Sequence, residues 1–206
     1  MPYIVSIEGN IGAGKSTILK HIAEEGYKVF PEPFEKNPFL PLFYAEPSRY
    51  AYHVQMHFLS ARRNQFLAAQ HSTLDPYETI FVERTIYTDR YVFAYMLHQQ
   101  GTLSDLDWRG YLYHFETVKN NKPDLAIILS VKPEDCLERI RERGREMEQT
   151  IPVEYLQNFA QIQDINMNFL GNTVRNNYFP HTPEENAKNI IGIVESIKER
   201  SGFMIA

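Results

Sequence analysis

Nine residues near the start of the chain, Gly9 to Thr17 (GNIGAGKST), have the types and spacing of a phosphate cradle. They fit G-x-x-x-x-G-K-[ST] directly after a strand-like apolar run and directly before a helix-like segment. Glycines let successive backbone N–H groups converge on phosphate oxygens, and the following helix adds the positive end of its dipole. In such a cradle Lys15 reaches the β- and γ-phosphates and the Ser16 hydroxyl ligates Mg²⁺. The expected ligand is ATP or GTP, held by Gly9, Asn10, Ile11, Gly12, Ala13, Gly14, Lys15, Ser16 and Thr17. A glycine-rich turn that fits by chance is the plain alternative, and the flanking strand and helix weigh against it.

Transfer of a phosphoryl group to a small molecule further needs a base near the acceptor, a carboxylate that holds the metal, and arginines that cover the moving group. The chain offers candidates for all three. Glu32 stands in Pro31-Glu32-Pro33 after a strand candidate, at the sheet edge where open α/β folds bind ligands. Glu83 and Arg84 end another apolar run, and Arg139, Arg141, Arg143 and Arg145 fall in and just after a helix-like segment. Each has a plainer reading. Glu32 could be a solvated turn residue, with Glu35 the group that matters. Glu83 and Arg84 could be a surface ion pair worth at most about 1 kcal/mol, and alternating Arg and Glu usually marks a solvated helix face.

Three runs lack polar alternation, as strands buried on both faces do: Tyr3 to Ile7, Thr79 to Val82 and Leu125 to Val131, with Tyr27 to Phe30 a weaker fourth. Between and after them the spacing predicts helices over Ser16–Glu25, Pro47–Ala69, Thr88–Gln99, Trp108–Asn120, Pro133–Arg143 and Pro183–Arg200. Pro133 with two acids starts the fifth of these and Gly144 stops it. This alternation predicts an α/β doubly wound parallel sheet flanked by helices in one domain over 1–206. Two short motifs mimic GTPase signatures, Asp107 to Gly110 (DWRG) and Asn121 to Asp124 (NKPD). Neither follows a buried strand, so neither would be aimed at a nucleotide, and NKPD reads as the turn into the Leu125 strand.

With 206 residues, a formal net charge of -5 and 43% hydrophobic residues, the chain can build one core and has no field to draw it to long nucleic acid. One cysteine, Cys136, fits a reducing compartment and a small buried apolar role. No stretch has the run of about 18 apolar residues of a membrane span. The chain as given opens on a strand with no leader pattern, so the expected location is cytoplasmic. The histidines show no zinc spacing.

Six blocks in order, GNIGAGKST, PEPFEKN, FYAEPSRYAYHVQMHFLSAR, ERTIYTDRYVF, KPDLAIILSVKPEDCLERIRERGRE and EQTIPVEYL, resemble the deoxynucleoside kinase family over Tyr3 to about Leu170. The resemblance implies a P-loop kinase with an Arg-rich lid over about 139–150, Mg²⁺ as cofactor, ATP and a deoxynucleoside as partners, and a homodimer. It makes Glu32 the base that receives the 5'-hydroxyl proton. It sets Arg84 on the 5'-oxygen and phosphate, Glu83 beside Ser16 on the metal, and Arg139, Arg143 and Arg145 over the ATP phosphates. Arg141 is expected to be plain surface. Tyr44 and Glu148 are expected on the sugar 3'-hydroxyl. Gln55, Arg62 and Asp89 are expected on the base, with Phe93 stacked on it or simply part of the core. Gln55 and Arg62 are seven positions apart on one predicted helix and therefore share a face. An amide can make two hydrogen bonds to a base edge, and Arg beside Asp supplies donors and an acceptor.

Asn37 and Phe58 depart from the animal deoxycytidine-type pattern and resemble the bacterial deoxyadenosine/deoxyguanosine branch, so a purine deoxynucleoside or deoxycytidine is the expected acceptor. The family's last strand is not legible after Leu170, where GNTVRNNYFPHT has no apolar run. Two rivals stand beside this reading. A nucleoside monophosphate kinase would accept at an ionised phosphate, needing extra arginines and no base. A non-catalytic nucleotide-binding regulatory protein would need none of the transfer groups.

Overall fold

The computed structural model describes residues 1–75, 77–177 and 182–201. Five parallel strands form one sheet: β1 (Tyr3–Gly9), β2 (Lys28–Phe30), β3 (Thr79–Glu83), β4 (Leu125–Ser130) and β5 (Thr173–Asn177), in the order β2-β3-β1-β4-β5. The register pairs Ile7 with Glu83 and Gly9 with Leu129, so the cradle emerges beside the carboxyl ends of β3 and β4.

Side-chain parity divides the core between the two faces of the sheet. Val5, Ile7, Phe81, Leu125, Ile127 and Leu129 point to one face, covered by α1 (Lys15–Glu24), α7 (Pro133–Arg143) and α9 (Pro183–Arg200). On the other face Ile4, Ile80 and Val82 meet Phe66 and Ala69 of α3 (Pro47–Gln70). There Ala126 and Ile128 pack with α5 (Ala94–Gln99), α6 (Asp105–Val118) and Phe159 of α8 (Val153–Asn166). Covered on both faces, the inner strands have no polar stripe to show, as their sequences do not.

Several elements differ from expectation. A short α2 (Leu40–Ala45) and the whole of α8 carry no clear sequence signal. The helix expected from Thr88 starts earlier, as α4 (Ile86–Thr88) after the N-cap Thr85, and passes through a π-helical stretch at Asp89–Phe93 before α5. α6 begins three residues early because Ser104 caps it, its hydroxyl accepting the Asp107 N–H at 3.2 Å. DWRG is thus interior to a helix. Asp124 of NKPD accepts the Ile4 N–H at 2.8 Å and so fastens the start of β1.

The fifth strand, which the family resemblance implies and the sequence after Leu170 does not locate, lies at the sheet edge. Thr173–Asn177 pairs with β4 alone, an edge position where buried Asn176 hydrogen-bonds to buried Asn186 and to exposed Asn189. The rest of GNTVRNNYFPHT, 178–181, lies outside the described residues. Cys136 is fully buried against the cradle, and burial pushes its thiol up to about 11, in keeping with an inert packing role.

Candidate active site

Strand ends, the cradle and α3 enclose a cleft of about 550 Å³. Ile11, Gly12, Gly14, Lys15, Ser16 and Thr17 form its floor. The cradle needs its glycines: Gly12 and Gly14 have φ of 79° and 89°, and a Cβ on Gly12 would lie 2.4 Å from the Cys136 carbonyl oxygen of α7. Three of the nine expected cradle residues do not line the cleft. Asn10 donates to the Leu156 carbonyl at 2.8 Å, Ala13 packs in the core, and Gly9 lies against Leu129.

Lys15 is buried and donates to the Asn10 carbonyl at 2.8 Å. Burial, then Arg84, lowers its pKa to about 8, against the opposing pull of Glu83 and Glu32. The Ser16 hydroxyl lies 3.1 and 3.0 Å from the two carboxylate oxygens of Glu83. A hydroxyl beside a carboxylate at the phosphate end of a cradle is a hard-oxygen donor set of the kind Mg²⁺ accepts, with water and phosphate completing the shell.

Glu32 occupies the centre. Its N–H donates to Glu83 Oε2 at 3.3 Å, and its carboxylate pairs with Arg62 and, at 3.2 Å, with Arg84 Nε. Burial alone would raise its pKa, but Arg62, Arg84 and Lys15 outweigh that and hold it at about 2. The group is ionised throughout the physiological range. Glu35, its sequence rival, has a side chain outside the described set.

α3 delivers the residues on the far side of the cleft. Gln55 is 4% exposed, lines the cleft, and its Oε1 is buried with no hydrogen-bond partner among the described residues. A buried amide oxygen left unpaired costs free energy unless something else donates to it. Arg62, one face with Gln55, stacks on Phe58 with its guanidinium carbon 4.6 Å from the ring centroid and pairs with both Glu32 and Asp89. Phe93 lines the cleft and also packs on Phe159 at 4.9 Å. Asp89 is fully buried behind Arg62 and does not line the cleft. Of the expected base-recognition residues, it is the one the structure does not bring to the cavity.

The expected lid arginines sit at the mouth. Arg139 donates to the Ala13 carbonyl at 3.5 Å, Arg143 pairs with Glu148, and Arg145 lies 3.5 Å from Glu148 with its guanidinium carbon 3.8 Å from the centroid of Phe34. Arg141 is exposed, as expected. Tyr44, from α2, lines the cleft near Glu148; burial, then Tyr155 and Glu148, pushes its phenol well above the usual range. Sequence reasoning missed Phe34, Phe43, Val54 and Tyr155 in the lining. It also missed Gln65, which donates to the Phe30 and Glu83 carbonyls at 2.6 and 3.3 Å and ties the ends of β2 and β3 together. No local pattern marks that tie, because its partners lie 35 and 18 residues away.

A strand, glycine loop and helix at the carboxyl edge of this parallel sheet define the P-loop nucleotide-binding class. Within it the chain belongs to the deoxynucleoside kinase family, whose model matches residues 5–174. It is 38% identical over 156 residues to the deoxyguanosine kinase of Dictyostelium discoideum, covering 74% of this chain and 54% of that protein. With the deoxyadenosine/deoxycytidine kinase of Bacillus subtilis it shares 35% over 150 residues, 70% of this chain and 67% of that one. The chain therefore spans about half the length of the first relative and two thirds of the second. The solved structure of deoxyadenosine kinase from M. mycoides with dCMP and dCDP superposes with a TM-score of 0.79, at 26% identity, over 94% of this chain and 99% of that chain.

Proposed function

We propose that this chain is an ATP-dependent deoxynucleoside 5'-kinase, with a purine deoxynucleoside or deoxycytidine as acceptor. The carrying observation is Glu32: an ionised carboxylate between the phosphate cradle and the amide of Gln55. In the proposed reaction the nucleoside 5'-oxygen bonds to the γ-phosphorus of ATP, the bond from that phosphorus to the β–γ bridging oxygen breaks, and ADP leaves. The hydroxyl proton passes to Glu32. An alcohol is a far weaker acid than a carboxyl, so that transfer follows phosphoryl movement, and the low pKa of Glu32 is no obstacle. Lys15 neutralises phosphate charge, and Arg84 is close enough to Glu32 to contact the 5'-oxygen. Arg139, Arg143 and Arg145 cover the triphosphate, the latter two by exchanging Glu148 for phosphate. Gln55 and Arg62 read the base, Phe93 stacks on it, and Tyr44 with Glu148 takes the 3'-hydroxyl. Ser16 and Glu83 would hold Mg²⁺, which supplies charge stabilisation between the β- and γ-phosphates.

Against a monophosphate acceptor stands the pairing of the two interior arginines: Arg62 is engaged by Glu32 and Asp89, and Arg84 by Glu32. A second phosphate there would have to displace Glu32 from both.

The test is a panel with Mg-ATP and each deoxynucleoside and deoxynucleoside monophosphate. Product from a deoxynucleoside supports the reading; product from monophosphates alone makes this a nucleotide kinase, and no turnover with any of them leaves a nucleotide-binding protein. We also propose a homodimer, which sedimentation equilibrium tests directly.

A further inference from the structure

Arg84 is the one non-glycine residue among those described that has a positive φ, 62°. For an L-residue with a long side chain that conformation is unfavourable and persists only where the surroundings impose it. β1 supplies the constraint. The Arg84 N–H donates to the Ile7 carbonyl at 3.1 Å. The next residue, Thr85, donates its hydroxyl to Glu8 Oε1 at 3.0 Å, and Thr88 donates to Glu8 Oε2. Thr85 is the N-cap of α4, where a threonine hydroxyl ordinarily accepts a helix N–H; here it makes no such cap bond and serves Glu8.

Glu8 itself has no exposed surface and does not line the cleft, so it can touch neither substrate nor phosphate. Stability alone is a poor reason for it, since burying a carboxylate is expensive where an apolar side chain of similar volume is not. What its two oxygens do is fasten both ends of α4: Thr85, which follows Arg84, and Thr88, which precedes Asp89. Arg84 then presents its Nε to Glu32 at 3.2 Å, with its guanidinium carbon 5.0 Å from the centroid of Phe93.

We propose that Glu8 is a positioning residue for phosphoryl transfer, holding Arg84 in its left-handed conformation through the hydroxyls of Thr85 and Thr88. The inference rests on the kinase reading above for its kinetic readout and on backbone geometry for the rest. The experiment compares Glu8→Gln, Thr85→Val and Thr85→Ser, with Glu8→Gln also made in an Arg84→Ala background.

If Glu8 acts through Arg84, Glu8→Gln lowers kcat between about ten- and a hundred-fold, the scale of a displaced catalytic group. KM for ATP stays within about twofold, and in the Arg84→Ala background the further loss is under about twofold. Thr85→Val follows Glu8→Gln, and Thr85→Ser restores most of the rate. An unchanged kcat in Glu8→Gln, or the same fold-loss in both backgrounds, overturns the proposal. Should Glu8→Gln not fold, equal rates for Thr85→Val and Thr85→Ser overturn it instead. If the wild-type chain transfers no phosphoryl group at all, the kinase reading alone fails. A crystal structure of Thr85→Val then decides: a negative φ at Arg84 supports the tie, and a φ still near 62° refutes it.

Discussion

Glu32 and Lys15 both line the cleft, and each has a displaced pKa: charged neighbours lower that of Glu32, and burial lowers that of Lys15. Glu32, held at about 2, is a weak base that stays ionised, so it suits a proton released only as the new P–O bond forms. Glu32→Gln keeps an acceptor for Arg62 and Arg84 but cannot take a proton; kcat should fall by about 10²–10⁴-fold with the KM for ATP little altered, measured by steady-state kinetics. Lys15 invites a different measurement. Burial brings its folded pKa to about 8 from 10.5, so between those values the unfolded chain holds more protons, and its contribution to stability rises with pH there. Phosphate oxygens favour the ammonium form. Calorimetric titration with ATP at about pH 8.5, in buffers of different ionisation enthalpy, should therefore show proton uptake that vanishes near pH 6.5 and in Lys15→Met. Equal heats in all buffers at the higher pH would mean that Lys15 is charged before ATP arrives.

At the scale of elements, the cradle and α7 are one packed unit, with Gly12 at the contact. A Cβ there would meet the Cys136 carbonyl at 2.4 Å, on a backbone with φ of 79°. Gly12→Ala must separate loop from helix, costing about 1–3 kcal/mol as overpacking does and moving Arg139 away from Ala13. A lower Tm together with an ATP KM raised about tenfold is the expected result; a drop in Tm with KM intact would uncouple α7 from nucleotide binding. The same packing explains what the sequence can and cannot say. β1, β3 and β4 are readable because burial on both faces leaves them mostly apolar, Ser6 and Glu8 of β1 being buried exceptions. α7 announces itself through Pro133 and Gly144, and α9 through Ile190, Ile193, Val194 and Ile197 at helical spacing. β5 is hidden because an edge strand with one partner can satisfy itself through Asn176 and Asn186. α8 is hidden because Leu156 and Phe159 are its main buried apolar residues amid Gln and Asn, and Pro152 at its N-cap offers no side-chain cap. In the site, the cradle is local and legible, whereas Arg62 bridging Glu32 and Asp89 joins three separate elements. Residue types allow that junction, but only the sheet order creates it.

The whole molecule brings six charged residues to one edge. β1, β2 and β3 end side by side, so Glu8, Glu32, Glu83, Arg62, Arg84 and Lys15 share a buried region whose ionisation feeds into global stability. Two carboxyls in it pull in opposite directions. Glu32 is depressed to about 2 from 4.5, so its contribution is complete above about 4.5 and is lost as pH falls through 2. At 1.36 kcal/mol per pKa unit this amounts to roughly 3 kcal/mol. Glu8 is raised, by burial first and against the Thr88 hydroxyl and Arg84, so its contribution is complete below 4.5 and is lost as pH rises through its folded value. Thermal midpoints from about pH 3 to pH 8 should show both limbs in the wild-type chain. Glu32→Gln should flatten the acid limb and leave the other, while Glu8→Gln should flatten the decline toward neutral pH and leave the acid limb. If both variants instead lower the curve evenly at every pH, the two carboxyls stabilise the fold by packing and hydrogen bonding alone, and the charge balance of the cleft is not coupled to folding.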